Sequence, residues 1–210
     1  MSLPPKIIDQ NGQESFGGSQ MWLPDKMLLN SGCGIIAGLD AIMRLKGEER
    51  MPREEYFERF FDAKDYIRPL TIGKNRETRQ LLGKEFLGSF GVSAGRFKKG
   101  IKKLDIKEGL NIRVRPFRFR WWEKIPEYLK GGDPLVMLIT APFENVSIEM
   151  PSGTKGKLGF HWVTITEMEG DTLTVSSWGC KCKMSVKELR RFNVILHFYS
   201  VSLENKSNLV

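Results

Sequence analysis

Gly159-Phe160-His161-Trp162-Val163-Thr164-Ile165-Thr166-Glu167-Met168-Glu169-Gly170-Asp171-Thr172-Leu173-Thr174-Val175-Ser176-Ser177-Trp178-Gly179 governs the architecture of this chain. Residues 160–166 and 172–177 alternate apolar and β-branched polar side chains, the period-two pattern of strands. Met168-Glu169-Gly170-Asp171 between them reads as a hairpin turn. Upstream, residues 135–140 form a continuous apolar run, as a strand covered on both faces requires. Residues 142–159, rich in Gly, Pro and Ser, read as a long loop. Downstream, Ser185-Val186-Lys187-Glu188 is a capping box that opens a short helix, and 194–201 is a last strand.

Before Asp133-Pro134 the periodicity is helical. Residues 31–46 predict a central helix capped by Ser31 or Asn30, with Ile35, Leu39, Ile42 and Met43 at helical spacing. Gly34, Ala37, Gly38 and Ala41 keep its surface thin, so neighbours can come close. Pro52 opens a second helix whose apolar side carries Tyr56, Phe57, Phe60 and Phe61. A third is expected over 75–87. Ser93 caps a fourth, with Phe97, Ile101 and Leu104 inward. Residues 112–119 alternate apolar and basic around Pro116, an edge-strand pattern. A short helix over 122–130 stops at Gly131-Gly132. Helices first and antiparallel strands after make an α+β fold of one domain, 20–203, behind a lead-in of residues 1–19.

The chain has 210 residues, 40% of them hydrophobic and 28% charged, which suits a globular core and excludes disorder. No apolar run is long enough to span a membrane, and the first residues lack the apolar core of an export signal. Three cysteines, an odd count, point to reduced thiols in a cytosol rather than a disulfide framework. The net charge of +8 is carried by residues 96–124, where eleven Lys and Arg face three acids. With Phe117, Phe119, Trp121 and Trp122 interleaved, that stripe could hold nucleic acid. No nucleic-acid-binding signature accompanies it, and Arg on an edge strand also discourages edge-to-edge pairing.

Chemistry concentrates at two places. Cys33, in Asn30-Ser31-Gly32-Cys33-Gly34, opens the central helix, where backbone N–H groups and the helix dipole favour a thiolate. Gly34 would let a substrate backbone approach the sulfur. Of two histidines, His161 begins the alternating strand and His197 sits inside an apolar one. A nucleophilic Cys needs a base, and the base needs an orienting partner. Turns at Glu169-Gly170 or at Gly170-Asp171 both put Ser176 on the face of His161 and turn Ser177 away. Cys180-Lys181-Cys182 with His161 falls short of the four ligands of a structural zinc site, so no metal or cofactor is expected.

These two blocks resemble papain-like cysteine peptidases. The Cys33 segment is similar to their nucleophile helix, and 159–179 to their His strand, hairpin and Asn-Ser-Trp-Gly segment. The likeness is strongest to the compact bacterial branch related to bacteriocin-processing peptidases, and it spans 20–201. The resemblance implies a nucleophile helix packed on a C-terminal antiparallel sheet. It makes Cys33 the nucleophile of a peptide or other amide substrate, His161 the general base and then acid, and Trp178 a shield. Gly34 and Trp178 become candidate substrate contacts. The family's third residue is Asn or Asp, where this chain has Ser176. Its oxyanion Gln lies six residues before the Cys, where this chain has Met27; Gln20 is the nearest candidate. The rival expectation is the same fold used as a binding module without catalysis.

Overall fold

The computed structural model describes residues 3–70, 91–117, 120–141, 146–191 and 194–204. In chain order the elements are β1 (Lys6–Ile8), a 3-10 turn at Gln20–Trp22, α1 (Lys26–Ser31), α2 (Cys33–Leu45), β2 (Arg50–Pro52), α3 (Arg53–Lys64), α4 (Ala94–Glu108), β3 (Ile112–Phe117), α5 (Trp121–Gly131), β4 (Leu135–Thr140), β5 (Val146–Glu149), β6 (Lys155–Leu158), β7 (Phe160–Glu169), β8 (Thr172–Ser177), β9 (Cys180–Ser185), α6 (Val186–Leu189) and β10 (Ile195–Leu203). Eight strands pair antiparallel in the order β3-β10-β4-β7-β8-β9-β5-β6, and β1 with β2 forms a small parallel pair. The α+β architecture read from the sequence is the one observed.

The sheet separates two apolar cores, and strand alternation assigns side chains to each. Val136, Leu138 and Trp162 pack with α2, α3 and α4 on one face. Leu135, Met137, Ile139, Val163 and Ile165 pack with α5 and α6 on the other. Covering on both faces is why β4 reads as an unbroken apolar run. On α4, Phe97, Ile101 and Leu104 are buried as their spacing predicts, and Ser93 Oγ caps the helix by accepting from Arg96 N. β3 lies at the sheet edge, where the missing N–H of Pro116 costs no ladder bond.

Several expectations are corrected. The central helix begins at Cys33 with Gly32 as N-cap, because a separate α1, capped by Asp25, runs up to Ser31. Residues 142–159 are not one loop: β5 and β6 form a hairpin there that extends the sheet, with 142–145 outside the described residues. On α3, Tyr56 and Phe60 are buried but Phe61 is 41% exposed, its edge packed on Phe60. The stretch read as a lead-in is integrated: Ile7 is buried, and Phe16 N donates to Gly179 O at 2.8 Å. The helix expected over 75–87 lies outside the described residues.

Gly100 of α4 gives a test of this packing. A Cβ there would lie 2.8 Å from Ile67 Cα and 2.9 Å from Tyr66 O, both backbone atoms that cannot swing aside. Gly100→Ala is expected to destabilise by about 1–2 kcal/mol in urea unfolding, overpacking exceeding the gain in helix propensity. Gly95→Ala in the same helix meets nothing within 4 Å and is expected to be neutral or stabilising.

Candidate active site

Cys33 is the first residue of α2, and the backbone N–H groups of Cys33, Gly34 and Trp162 point at its sulfur. Gln20 sits beside this helix start. Its Nε2 donates to Leu29 O at 2.8 Å, the carbonyl that a continuous helix would offer to the Cys33 N–H. Its Oε1 is buried without a hydrogen-bond partner. The 3-10 turn carrying Gln20 is held by Ser19, whose Oγ accepts from Met21 N. The upstream chain thus brings Gln20 to Cys33 from thirteen positions away in sequence.

The imidazole is held from the sheet. His161 Nε2 lies 2.7 Å from Ser177 Oγ, and the Trp178 ring lies over the imidazole at 4.8 Å and 31°. The partner is therefore Ser177 and not Ser176. The hairpin turns at Gly170-Asp171, but the β7–β8 register slips by one residue between Ile165 and Glu167, so that Thr164 pairs with Ser176. This bulge reverses the side-chain parity that an unbroken ladder would keep. Ser176 moves to the α2 side of the sheet, where its Oγ donates to Phe16 O at 2.6 Å. Ser177 ends up on the face of Val163 and His161. The next two residues form the β8–β9 loop, and both have positive φ, +52° at Trp178 and +75° at Gly179. That is the hairpin pattern of the primed turns. A tryptophan in this conformation costs about 1–3 kcal/mol, and the strain lays its indole over His161.

One small cavity joins these groups. Gly18, Gln20, Cys33, Asp40, His161, Ser176, Ser177 and Trp178 all line it. Its volume is about 10 Å³, near the least that one water needs. Cys33 and His161 share this cavity without a hydrogen bond between them. Asp40, unnoticed in the sequence, lies two turns along α2 from Cys33. Tyr56 Oη donates to its Oδ1 at 2.8 Å, and Gly18 N to its Oδ2 at 3.1 Å. A charged residue in the otherwise apolar Gly38-Leu39-Asp40-Ala41 run, seven after the Cys, was the available signal.

Burial sets the charge states. It pushes the Cys33 thiol up to about 11, only partly countered by the N–H groups around it. It pulls the His161 imidazole down to about 4. It raises the Asp40 carboxyl to about 7 against the opposing hydrogen bonds from Tyr56 and Gly18. At neutral pH the pair is a neutral thiol and a neutral imidazole.

The remaining candidates separate from this cavity. Gly34 is covered: a Cβ there would lie 2.7 Å from Val92 Cβ and 3.0 Å from Trp162 Cδ1, so the protein itself makes the close approach. His197 lies on β10, two strands from β7. All three cysteines are free thiols. Cys182 Sγ contacts Met150 Sδ at 3.5 Å, and among the described residues no three metal-ligating side chains gather. The basic stripe is divided over α4, β3 and α5, with Lys107 paired to Asp62, Arg113 to Glu204 and Arg120 to Glu123. No described helix is long and apolar enough to cross a membrane. No protein-family model, curated protein or solved structure matches the chain.

Two of the buried ionisable groups, His161 and Asp40, oppose each other in stability. With His161 at about 4 against 6.5 in the unfolded chain, stability falls as pH drops from 6.5 towards 4. With Asp40 at about 7 against 3.8, stability rises as pH drops from 7 towards 4. Asp40→Asn removes the second effect. Urea unfolding of that variant is expected to lose about 3 kcal/mol more than the parent between pH 6.5 and 4.5.

Proposed function

We propose that the protein is a thiol-dependent acyl-transfer enzyme of papain-like type, with a peptide or other amide as substrate. The observation that carries this reading is the convergence of Cys33, Gln20 and the His161–Ser177 pair on one cavity at the N-terminus of α2. Cys33 Sγ attacks the substrate carbonyl and forms the acyl-enzyme. His161 takes the thiol proton as the S–C bond forms and returns it to the leaving amine. Ser177 accepts from the Nε2–H of the imidazolium, and Trp178 keeps water off that bond. The Cys33 N–H and the Gln20 amide face the developing oxyanion.

The proton moves during attack and not before it. Transfer from a thiol at about 11 to an imidazole at about 4 is uphill by about 10 kcal/mol. Attraction between charges 4 Å apart in an effective dielectric near 20 returns only about 4 kcal/mol of that. A resting thiolate–imidazolium pair is therefore scarce, and His161 acts as a general base once substrate has opened the cavity.

A second reading has its own support. The closed cavity and the absence of a Cys33–His161 hydrogen bond suit a binding module that has kept the fold without catalysis. A panel of peptide amides and acyl esters separates the two. Turnover lost in Cys33→Ala supports the enzyme; a panel on which no substrate turns over leaves the binding module. For an active substrate, Gln20→Ala is expected to lower kcat by about 10²–10³. Ser177→Ala is expected to reduce kcat more than Ser176→Ala, reversing the order that an unbroken hairpin register implies.

A further inference from the structure

Asp40 is a fully buried carboxyl with two donors, and the reaction outlined above does not use it. Its position is unusual. Phe16-Gly17-Gly18 runs as a strap between α2 and the β8–β9 hairpin. On the hairpin side Phe16 N donates to Gly179 O, and Ser176 Oγ donates to Phe16 O. On the helix side Gly18 N donates to Asp40, which also holds Tyr56 of α3. The strap's two glycines admit no side chains. A Cβ at Gly17 would lie 2.5 Å from both Asp40 Oδ2 and Ser176 Oγ, and one at Gly18 would collide with the Tyr56 hydroxyl. Two residues further on comes Gln20, anchored at the start of α2.

Resting on the Cys33–His161 reading, the geometry points to Asp40 as a positioning residue of that site. Its carboxyl clamps the glycine strap to α2 and thereby sets Gln20 against Cys33 and holds the hairpin end that carries Ser177 and Trp178. Ionisation strengthens the clamp, because hydrogen bonds to a carboxylate are stronger than those to a neutral carboxyl. It also places a negative charge in the cavity, which disfavours a thiolate at Cys33. The charge makes Cys33 less reactive as Asp40 loses its proton. Of the titratable groups, Tyr56 from α3 touches Asp40, while Cys33 from its own helix and His161 from β7 line the same cavity. Among the described residues, no Lys, Arg or other acid lines the cavity.

The test is the alkylation rate of Cys33 by iodoacetamide from pH 5 to 8, below the titration of a free thiol, followed at that residue by mass spectrometry and divided by the rate of a free-thiol peptide. The ratio is expected to fall roughly three- to tenfold on passing upward through pH 7. Asp40→Asn keeps an acceptor for Tyr56 and cannot ionise, so its ratio is expected to be flat. Tyr56→Phe removes a donor that favours the carboxylate, so its step is expected at higher pH. A step that persists in Asp40→Asn, or that stays in place in Tyr56→Phe, overturns the proposal, as does a flat ratio in the parent. If Asp40→Asn does not fold, Tyr56→Phe alone decides by the direction of its shift. His161→Ala separates the two claims: turnover on the amide and ester panel that is unchanged in that variant sinks the Cys–His reading and leaves the Asp40 step standing.

Discussion

Trp162 is the contact on which the arrangement depends. Its indole is fully buried, stacks on Phe97 at 4.2 Å and donates from Nε1 to Val92 O at 2.6 Å. Its backbone N–H points at the Cys33 sulfur. One residue therefore ties α4, the segment before it and the start of α2 to β7, at the position next to His161. A large aromatic side chain buried this completely is among the stronger single stabilising contributions in a core. The distance between thiol and imidazole is thus set by the packing of their neighbour.

The same packing withholds water from Cys33, His161 and Asp40. Two N–H groups of a helix N-terminus and a third from Trp162 of β7 ordinarily favour a thiolate, yet burial outweighs them and leaves Cys33 protonated. Burial also keeps His161 neutral and Asp40 near half-protonation at neutral pH. All three groups sit around a space of about one water. A pocket this dry makes each charge costly, so the resting state is the uncharged one. Hydration of the cavity would change these energetics, because water restores the solvation that burial removes.

Fold class and most elements were legible from periodicity, because the patterns of α4, β4, β7 and β8 follow directly from which faces are covered. Cys33 and His161 were legible as chemistry-bearing residues at element starts. Two features hid the remainder. The strap 16–18 has no periodic pattern, since Gly17 and Gly18 are fixed by what a missing Cβ permits and not by alternation. The β5–β6 hairpin looked like a loop because its Gly, Pro and Ser content masks two short strands.

What the amino-acid order alone determined is the kind of layers and the placement of a thiol and an imidazole at the starts of α2 and β7, since both follow from local periods and element ends. Which serine meets the imidazole was decided only in the folded chain. A one-residue slip opposite the β8 strand moves Ser177 to the His161 face and sends Ser176 to the strap, and no local pattern announces that slip. The protonation states were likewise decided by folding, because desolvation belongs to the closed cavity and not to any segment of it.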